Sequence, residues 1–414
     1  MFNDILTARE NRRKLILELS SKNDVVSVKA NVVGAIKNLP TSRLLLSYFS
    51  KKIQNLGVKD IKILLSSDGD TVIGNTLDGK NLKEKAVFLE ENDNLGRLID
   101  IDVTLKGQEQ SLSRENQRKC FLCSNPAFVC GRNKTHNVKE LLNYFNDKTR
   151  QEIYSKLQNI IFESLLGELN LENKFGLVSP TDNGSHTDLD YDIMKGASIE
   201  ISKILPKAFF VGLNAITTDG LLENLRKVGL DCEDAMFKST KGANAYKGFI
   251  FIACVLLGAT GYVIANNLPY AEIYSTIKET CSNIDVAPQP TFGYQAYQDG
   301  FGGIRKSAKD GFIVVEQAKN LIKQGNLLEV LTKIVGEIQD SVLLKRAKSI
   351  ERYNYYKNLI STVDCNNKEQ LQKINALCKS DNISIGGSAD VLISAIMMKK
   401  ITENFYFWSE NDKR

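Results

Sequence analysis

Apolar positions along this chain follow two rhythms, and the change comes near residue 150. Before it, short apolar runs at 25–28, 61–65, 86–89 and 98–105 stand between Gly, Asp, Asn and Lys, which is the pattern of strands. Residues 43–56 and 138–145 are spaced i, i+3, i+4, as on a helix face. After the change, helical spacing governs 154–171, 191–204, 220–228, 270–284, 321–347 and 389–405. The pattern predicts an N-terminal α+β domain over 1–147 and an all-α domain over 148–414, joined at the polar run 146–149. No internal repeat or low-complexity linker is evident.

The stretch 248–265 (GFIFIACVLLGATGYVIA) carries no charge and reaches the length of a bilayer crossing. It holds three glycines, abuts Lys247 and lacks a flanking basic cluster or aromatic belt, so it reads as a buried core helix, and no membrane is expected. With 414 residues the chain is long enough for two cores. Its 54 basic and 49 acidic residues leave a net charge of +5, too balanced for bulk attraction to nucleic acid. Eight cysteines, five of them scattered singly (Cys232, Cys254, Cys281, Cys365, Cys378), suit reduced thiols rather than a disulfide framework. The first residues place acid before base with no apolar run, unlike a signal peptide, and a cytoplasmic protein is expected.

Two neighbouring clusters offer chemistry. In Gly96-Arg97-Leu98-Ile99-Asp100-Ile101-Asp102-Val103, strand alternation puts Asp100 and Asp102 on one face, where two carboxylates can share a magnesium ion with phosphate oxygens. An edge strand with a wetted face is the alternative. Shortly after, Cys120, Cys123, Cys130 and His136 supply three thiols and an imidazole at spacings that suit four-coordinate zinc. Arg118, Lys119, Arg132 and Lys134 bracket them with groups suited to phosphate. A plain thiol cluster in a reducing cell would read the same way.

In the helical half, four loops gather glycine, acid and base just before helices: 174–190, 240–248, 291–305 and 384–390. Glycines such as Gly184, Gly386 and Gly387 let backbone N–H groups approach a ligand, and a helix N-terminus adds partial positive charge. Lys174, Lys241, Lys247 and Arg305 can neutralise phosphate, with Asn244, Ser388 and Asp390 beside them. His186, one of two histidines, lies in Asn-Gly-Ser-His-Thr-Asp, where it and Asp188 can deprotonate a hydroxyl and Asp188 with Asp190 can hold magnesium. Taken singly, each loop reads equally as a glycine turn with a helix cap. Together they favour a polyphosphate pocket.

The runs Leu95 to Val103, Leu112-Ser113-Arg114, 118–123, 130–136 and 141–143, with Arg9-Glu10-Asn11-Arg12 and 34–37, resemble the apo-citrate lyase phosphoribosyl-dephospho-CoA transferases. The runs 174–178, 183–188, Lys247-Gly248, 291–312 and 384–390 resemble triphosphoribosyl-dephospho-CoA synthase, so the whole chain is similar to a fused, bifunctional form. The resemblance implies an N-terminal α+β domain with a nucleotidyltransferase-like mixed sheet and an all-α C-terminal domain. It further implies that ATP and 3′-dephospho-CoA give 2′-(5″-triphosphoribosyl)-3′-dephospho-CoA plus adenine, and that the product is transferred to a serine of the apo acyl carrier subunit of citrate lyase with loss of pyrophosphate. Catalytic roles would fall to Arg97, Asp100, Asp102, His186 and Asp188, and phosphate binding to Arg114, Arg132, Lys134 and the loop residues above. The chain departs from the synthase pattern at Tyr246, where a histidine is usual, at Asn173-Lys174-Phe175-Gly176 and across 340–346; near Asp93 it lacks the transferase histidine. Two rival readings remain: a zinc-stabilised module for nucleic acid or a protein partner, and a metal-dependent phosphohydrolase built on His186, Asp188 and Asp190.

Overall fold

The computed structural model describes residues 2–114, 117–284, 292–322 and 326–412. It divides into two compact units: Met1–Ser155 with Val263–Tyr270 and Thr402–Arg414, and Lys156–Tyr262 with Ala271–Ile401. The expected join at 147/148 lies inside one continuous helix, α5 (Val138–Leu169).

The first unit runs α1 (Phe2–Ser20), β1 (Asp24–Ala30), α2 (Pro40–Asn55), β2 (Lys59–Leu64), β3 (Thr71–Thr76), α3 (Gly79–Asn92), β4 (Ile99–Thr104) and α4 (Ala127–Asn133) before α5 begins. The sheet order is β2-β3-β1-β4 and every neighbouring pair is antiparallel. This is the split βαβ topology. It corrects the expected mixed sheet: β1-α2-β2 and β3-α3-β4 are helical crossovers between strands of like direction, but β3 sits between β1 and β2, and β1 between β3 and β4, so no two neighbours run parallel.

Register decides what each face carries. Val26, Val28 and Ala30 of β1 pair with Val103, Ile101 and Ile99 of β4, giving one buried apolar face. The intervening pairs Ser27–Asp102 and Lys29–Asp100 then share the other face. The expected strand at 86–89 is instead the middle of α3, which is capped by Asp78 accepting from the Asn81 N–H and buries Leu82, Lys83, Ala86 and Glu90 on one side. Four apolar residues in a row fit a buried helix turn as well as a strand. Conversely β3 went unread because it is buried on both faces, contains Gly74 and therefore shows no alternation.

The second unit continues α5 with α6 (Tyr191–Ile204), α7 (Pro206–Leu213), α8 (Leu221–Ser239), α9 (Lys247–Ala265) and α10 (Glu272–Thr280). Then come α11 (Phe292–Gln298), α12 (Gly303–Lys309), α13 (Ile313–Ile322), α14 (Leu327–Glu337) and α15 (Ser341–Ala347). It closes with α16 (Ile350–Ser361), α17 (Lys368–Ser380) and α18 (Gly386–Asn404). The long run expected over 321–347 is broken into pieces, because Asn326 caps α14 and Asp340 caps α15 through the Val342 and Leu343 N–H groups. Among the described residues one helix, α9, is long and apolar enough to cross a membrane, and 83% of its apolar window is buried, as a core helix would be.

Candidate functional site

In the first unit, β4 presents Asp100 and Asp102 on the face it shares with Ser27 and Lys29. Both carboxylates are about half exposed, with side-chain exposures of 47% and 45%. Arg118 reaches Asp100 at 2.5 Å and donates to the Ile99 carbonyl at 2.9 Å. Arg118 and Arg114 both pair with Glu90, which is buried beneath them and also accepts from the Ile101 N–H. Lys83 lies 3.8 Å from Asp102. Arg97, in the turn that enters β4, has its affinity for a proton lowered by burial and by Arg118 and Arg114 nearby. The Asp102 carboxyl is pushed above its ordinary range by burial and by the like charge of Asp100. Two carboxylates that repel each other across an open face, rimmed by three arginines, fit a magnesium ion bringing phosphate oxygens with it.

A second cationic group belongs to the same unit. Asp68, whose side chain is buried, takes Arg9 at 2.8 Å, Arg12 at 2.6 Å and Lys29 at 2.5 Å. These three hold its carboxyl down to about 2 against the opposing effect of burial. Burial lowers Lys29 to about 8, and Arg12 and Arg9 add to that. One carboxylate against three cations leaves excess positive charge, and Lys29 is the cross-strand neighbour of Asp100. Arg9 and Arg12 carried a sequence signal in their motif; Lys29 and Asp68 carried none. Arg132 and Lys134 are exposed on and just after α4 and make no ion pair among the described residues.

In the second unit the loops converge on one cavity of about 890 Å³. His186, Asp188, Asn244, Lys247, Arg305, Gly386, Gly387 and Asp390 all line it. The convergence rests on backbone packing: Gly176 and Gly184 have φ of +84° and +61°, and a Cβ on Gly176 would stand 2.1 Å from the Ile383 carbonyl. Ser185 closes the joint by donating to the Ile383 carbonyl at 2.6 Å, which carries His186 to within 3.5 Å of Ser384. Gly184 therefore serves loop packing and does not line the cavity. On the far wall Asn244 caps α9 by accepting from the Lys247 N–H, Lys247 pairs with Glu233 at 2.7 Å, and a Cβ on Gly248 would meet Asp390 at 2.0 Å.

His186 faces Arg346 through Nδ1 at 3.5 Å, with Asp188 4.0 Å away. Burial and the Arg346 cation lower its pKa, so the imidazole is neutral at neutral pH. Asp390 is held well above the carboxylate range by burial and by Asp340 and Glu168. Besides Gly184, four expected residues stand outside the lining, one of them Lys241, exposed in the turn after α8. Lys174 is fully buried, paired with Glu168 at 2.8 Å and donating to the Glu168 carbonyl at the end of α5, where a cation satisfies free carbonyls. Ser388 is turned to Asp340, its N–H and hydroxyl donating at 2.8 and 2.9 Å. Asp190 caps α6 by accepting from the Ile193 N–H, leaving Asp188 as the member of that pair that faces the cavity. Tyr246 lines the cavity, but its hydroxyl is buried against Ser198 and held well above its ordinary pKa by burial. The loop motifs did not point to Glu168, Arg226, Glu233, Lys345 and Arg346 in the lining, since each belongs to a helix and not to a glycine-bearing loop: Arg226 and Glu233 lie within α8, Glu168 at the end of α5, and Lys345 and Arg346 in the last turn of α15.

Cys120, Cys123, Cys130 and His136 come together, with one ligand atom from each lying within 4.8 Å of the others. All three thiols are free.

Two groups of cationic and acidic side chains, one on an α+β unit and one lining a cavity in an all-helical unit, have the chemistry that suits phosphorylated substrates. Comparison with known families agrees: residues 1–152 match the apo-citrate lyase phosphoribosyl-dephospho-CoA transferase model and residues 154–408 the ATP:dephospho-CoA triphosphoribosyl transferase model. The chain belongs to the second family through its helical part and carries the first family's domain ahead of it, so it is a bifunctional transferase for making and attaching the citrate lyase prosthetic group. Protein CitXG of Leuconostoc mesenteroides subsp. cremoris is 29% identical over 95% of this chain and 95% of its own length. Protein CitXG of Haemophilus influenzae is 25% identical over 97% and 96%. The 2-(5''-triphosphoribosyl)-3'-dephosphocoenzyme-A synthase of Haemophilus ducreyi is 27% identical over 66% of this chain and 98% of its own length.

Proposed function

We propose that the helical unit joins ATP to 3′-dephospho-CoA in the cavity described above, the ribose 2′-hydroxyl of dephospho-CoA attacking C1′ of the ATP ribose and adenine leaving. The convergence of His186, Asp188, Asn244, Lys247, Arg305, Gly386 and Gly387 on that cavity carries this reading. Lys345, Arg346 and Lys247 supply charge for the triphosphate, and the Gly386 turn at the start of α18 offers backbone N–H groups. Neutral His186 accepts the hydroxyl proton once Arg346 turns from Nδ1 to phosphate, and Asp188 stabilises the imidazolium that results. Magnesium here would be held by Asp188 with water and ATP oxygens.

The first unit then transfers the phosphoribosyl-dephospho-CoA group to a serine of the acyl carrier subunit, expelling pyrophosphate in nucleotidyltransferase fashion. Asp100 and Asp102 would hold magnesium, which when bound would supply charge neutralisation for the departing pyrophosphate. Arg97, Arg114 and Arg118 stand around the same face to bind its oxygens, with the Arg9, Arg12 and Lys29 group extending the positive field from β1. Arg132 and Lys134, exposed, suit contact with the carrier, which is the protein substrate. Substrates of this kind place the work in the cytoplasm, with neither nucleic acid nor membrane as partner.

Asp102→Asn tests the division of labour. Incubated with ATP, dephospho-CoA and apo-carrier, this variant should release adenine at the normal rate while carrier modification, followed by mass spectrometry, falls about a hundredfold or more. Carrier modified at the wild-type rate would refute the assignment of β4.

A further inference from the structure

Residues 105–137 form a segment with little to hold it together. Apart from the short helix α4, the described residues of this segment contain no helix or strand of their own, only the isolated bridge between Lys119 and Pro126. Among the described residues of this stretch a single side chain is buried, and it is Cys130. A segment without an apolar core needs another cross-link, and in small metal-bound modules the metal supplies it.

The backbone delivers four soft ligands to that spot. The Cys120 N–H donates to the Asn125 carbonyl at 2.8 Å, folding Cys120 and Cys123 into a tight knuckle. Lys134 takes a left-handed conformation with φ of 50°, and the Thr135 N–H returns to the Cys130 carbonyl, which swings His136 back over the thiols. Cys123 Sγ lies 3.4 Å from Cys130 Sγ and 3.3 Å from His136 Nε2. A disulfide would need the sulfurs about 2 Å apart, whereas ligands roughly 2.0–2.3 Å from a shared tetrahedral ion stand somewhat over 3 Å from one another.

We propose that Cys120, Cys123, Cys130 and His136 hold one zinc ion in a closed structural shell, and that this ion seats Arg118 on Asp100. The same knuckle carries Arg118 two residues before Cys120, and the Arg118 carbonyl accepts from the Ala127 N–H at 2.7 Å, so the stretch bearing the arginine is tied to the segment between Cys123 and Cys130 that the metal would fix. Three protein thiolates and an imidazole fill four positions, leaving none for water or substrate, so the zinc organises the site without entering the chemistry. The metal stands on geometry alone; only the role given to Arg118 rests on the transferase reading.

The full-length protein, purified without chelator, should contain about one zinc per chain by elemental analysis. Cys123→Ser and Cys130→Ser should each lower that content at least tenfold, while Cys365→Ser, outside the cluster, should keep it. Because the serine variants could fail to fold, wild-type protein stripped of zinc and titrated with cobalt(II) provides a second reading: the visible absorption of tetrahedral, thiolate-bound cobalt should appear and saturate at one ion. Stripping should also cut carrier modification at least tenfold, restored by added zinc, with adenine release unchanged. Protein without metal, or with a disulfide among these cysteines, would overturn the site. Stripped protein that modifies carrier at full speed would overturn the seating of Arg118. Zinc bound in protein that modifies no carrier upholds the metal and sinks the transferase reading instead.

Discussion

His186 has each ring nitrogen committed. Arginine can only donate, so Nδ1, 3.5 Å from Arg346, is the acceptor and the proton sits on Nε2, directed at Ser384 Oγ 3.5 Å away. This tautomer is assigned from the partners. Burial disfavours the imidazolium and the Arg346 cation beside Nδ1 adds to that, so the pKa lies below that of a free histidine. Replacing Arg346 by glutamine removes that repulsion, so the pKa should rise and more of the base will be protonated, and inactive, at a given low pH. The acid limb of adenine release should therefore move to higher pH in Arg346→Gln, measured as the pH profile of adenine formation. A limb that stays put or moves down would show that His186 is not the titrating base.

At the scale of the element, α5 ends on an ion pair taken wholly out of water. Lys174 and Glu168 are 1% and 3% exposed at the side chain, and Lys174 also donates to the Glu168 and Leu169 carbonyls of the last turn. Attraction between the two charges offsets their desolvation, but removing one partner strands the other. Lys174→Met should destabilise the helical unit by about 3–5 kcal/mol, and Lys174→Met with Glu168→Gln should recover part of that loss, read by denaturant unfolding. Equal stability of Lys174→Met and wild type would mean that the pair is not buried as described. The same element shows what sequence patterns convey: the apolar spacing of 154–171 announced a helix, but nothing in the string Asn173-Lys174-Phe175-Gly176 distinguishes a lysine waiting for phosphate from one capping a helix inside the core.

For the whole molecule, the two centres use different residues in different units. His186→Ala should lose adenine formation from ATP and dephospho-CoA, since the attacking hydroxyl keeps its proton. Supplied with preformed triphosphoribosyl-dephospho-CoA, the same folded variant should modify the carrier within about twofold of wild type, because Asp100, Asp102 and the arginines around Glu90 are untouched. Failure of the supplied intermediate to restore modification, measured by the mass of the carrier, would show that the two activities are not independent.

The apolar pattern alone places α+β before all-α, because short strand-like runs alternate with helical spacing up to about residue 150 and helical spacing governs after it. The local sequence likewise sets the shared face of Asp100 and Asp102 and the joint location of the Cys/His set, since alternation and short spacing are local properties. Long-range packing set the remaining features. That the sheet is antiparallel throughout follows from which strands are inserted between which, and strand order is not written in any one strand. That Lys29 stands opposite Asp100 follows from β1–β4 register. That Arg346 and Lys345 join His186 at one cavity while Lys174, Ser388 and Asp190 serve packing and capping follows from contacts between residues far apart in the chain, each of which depends on where whole helices come to rest.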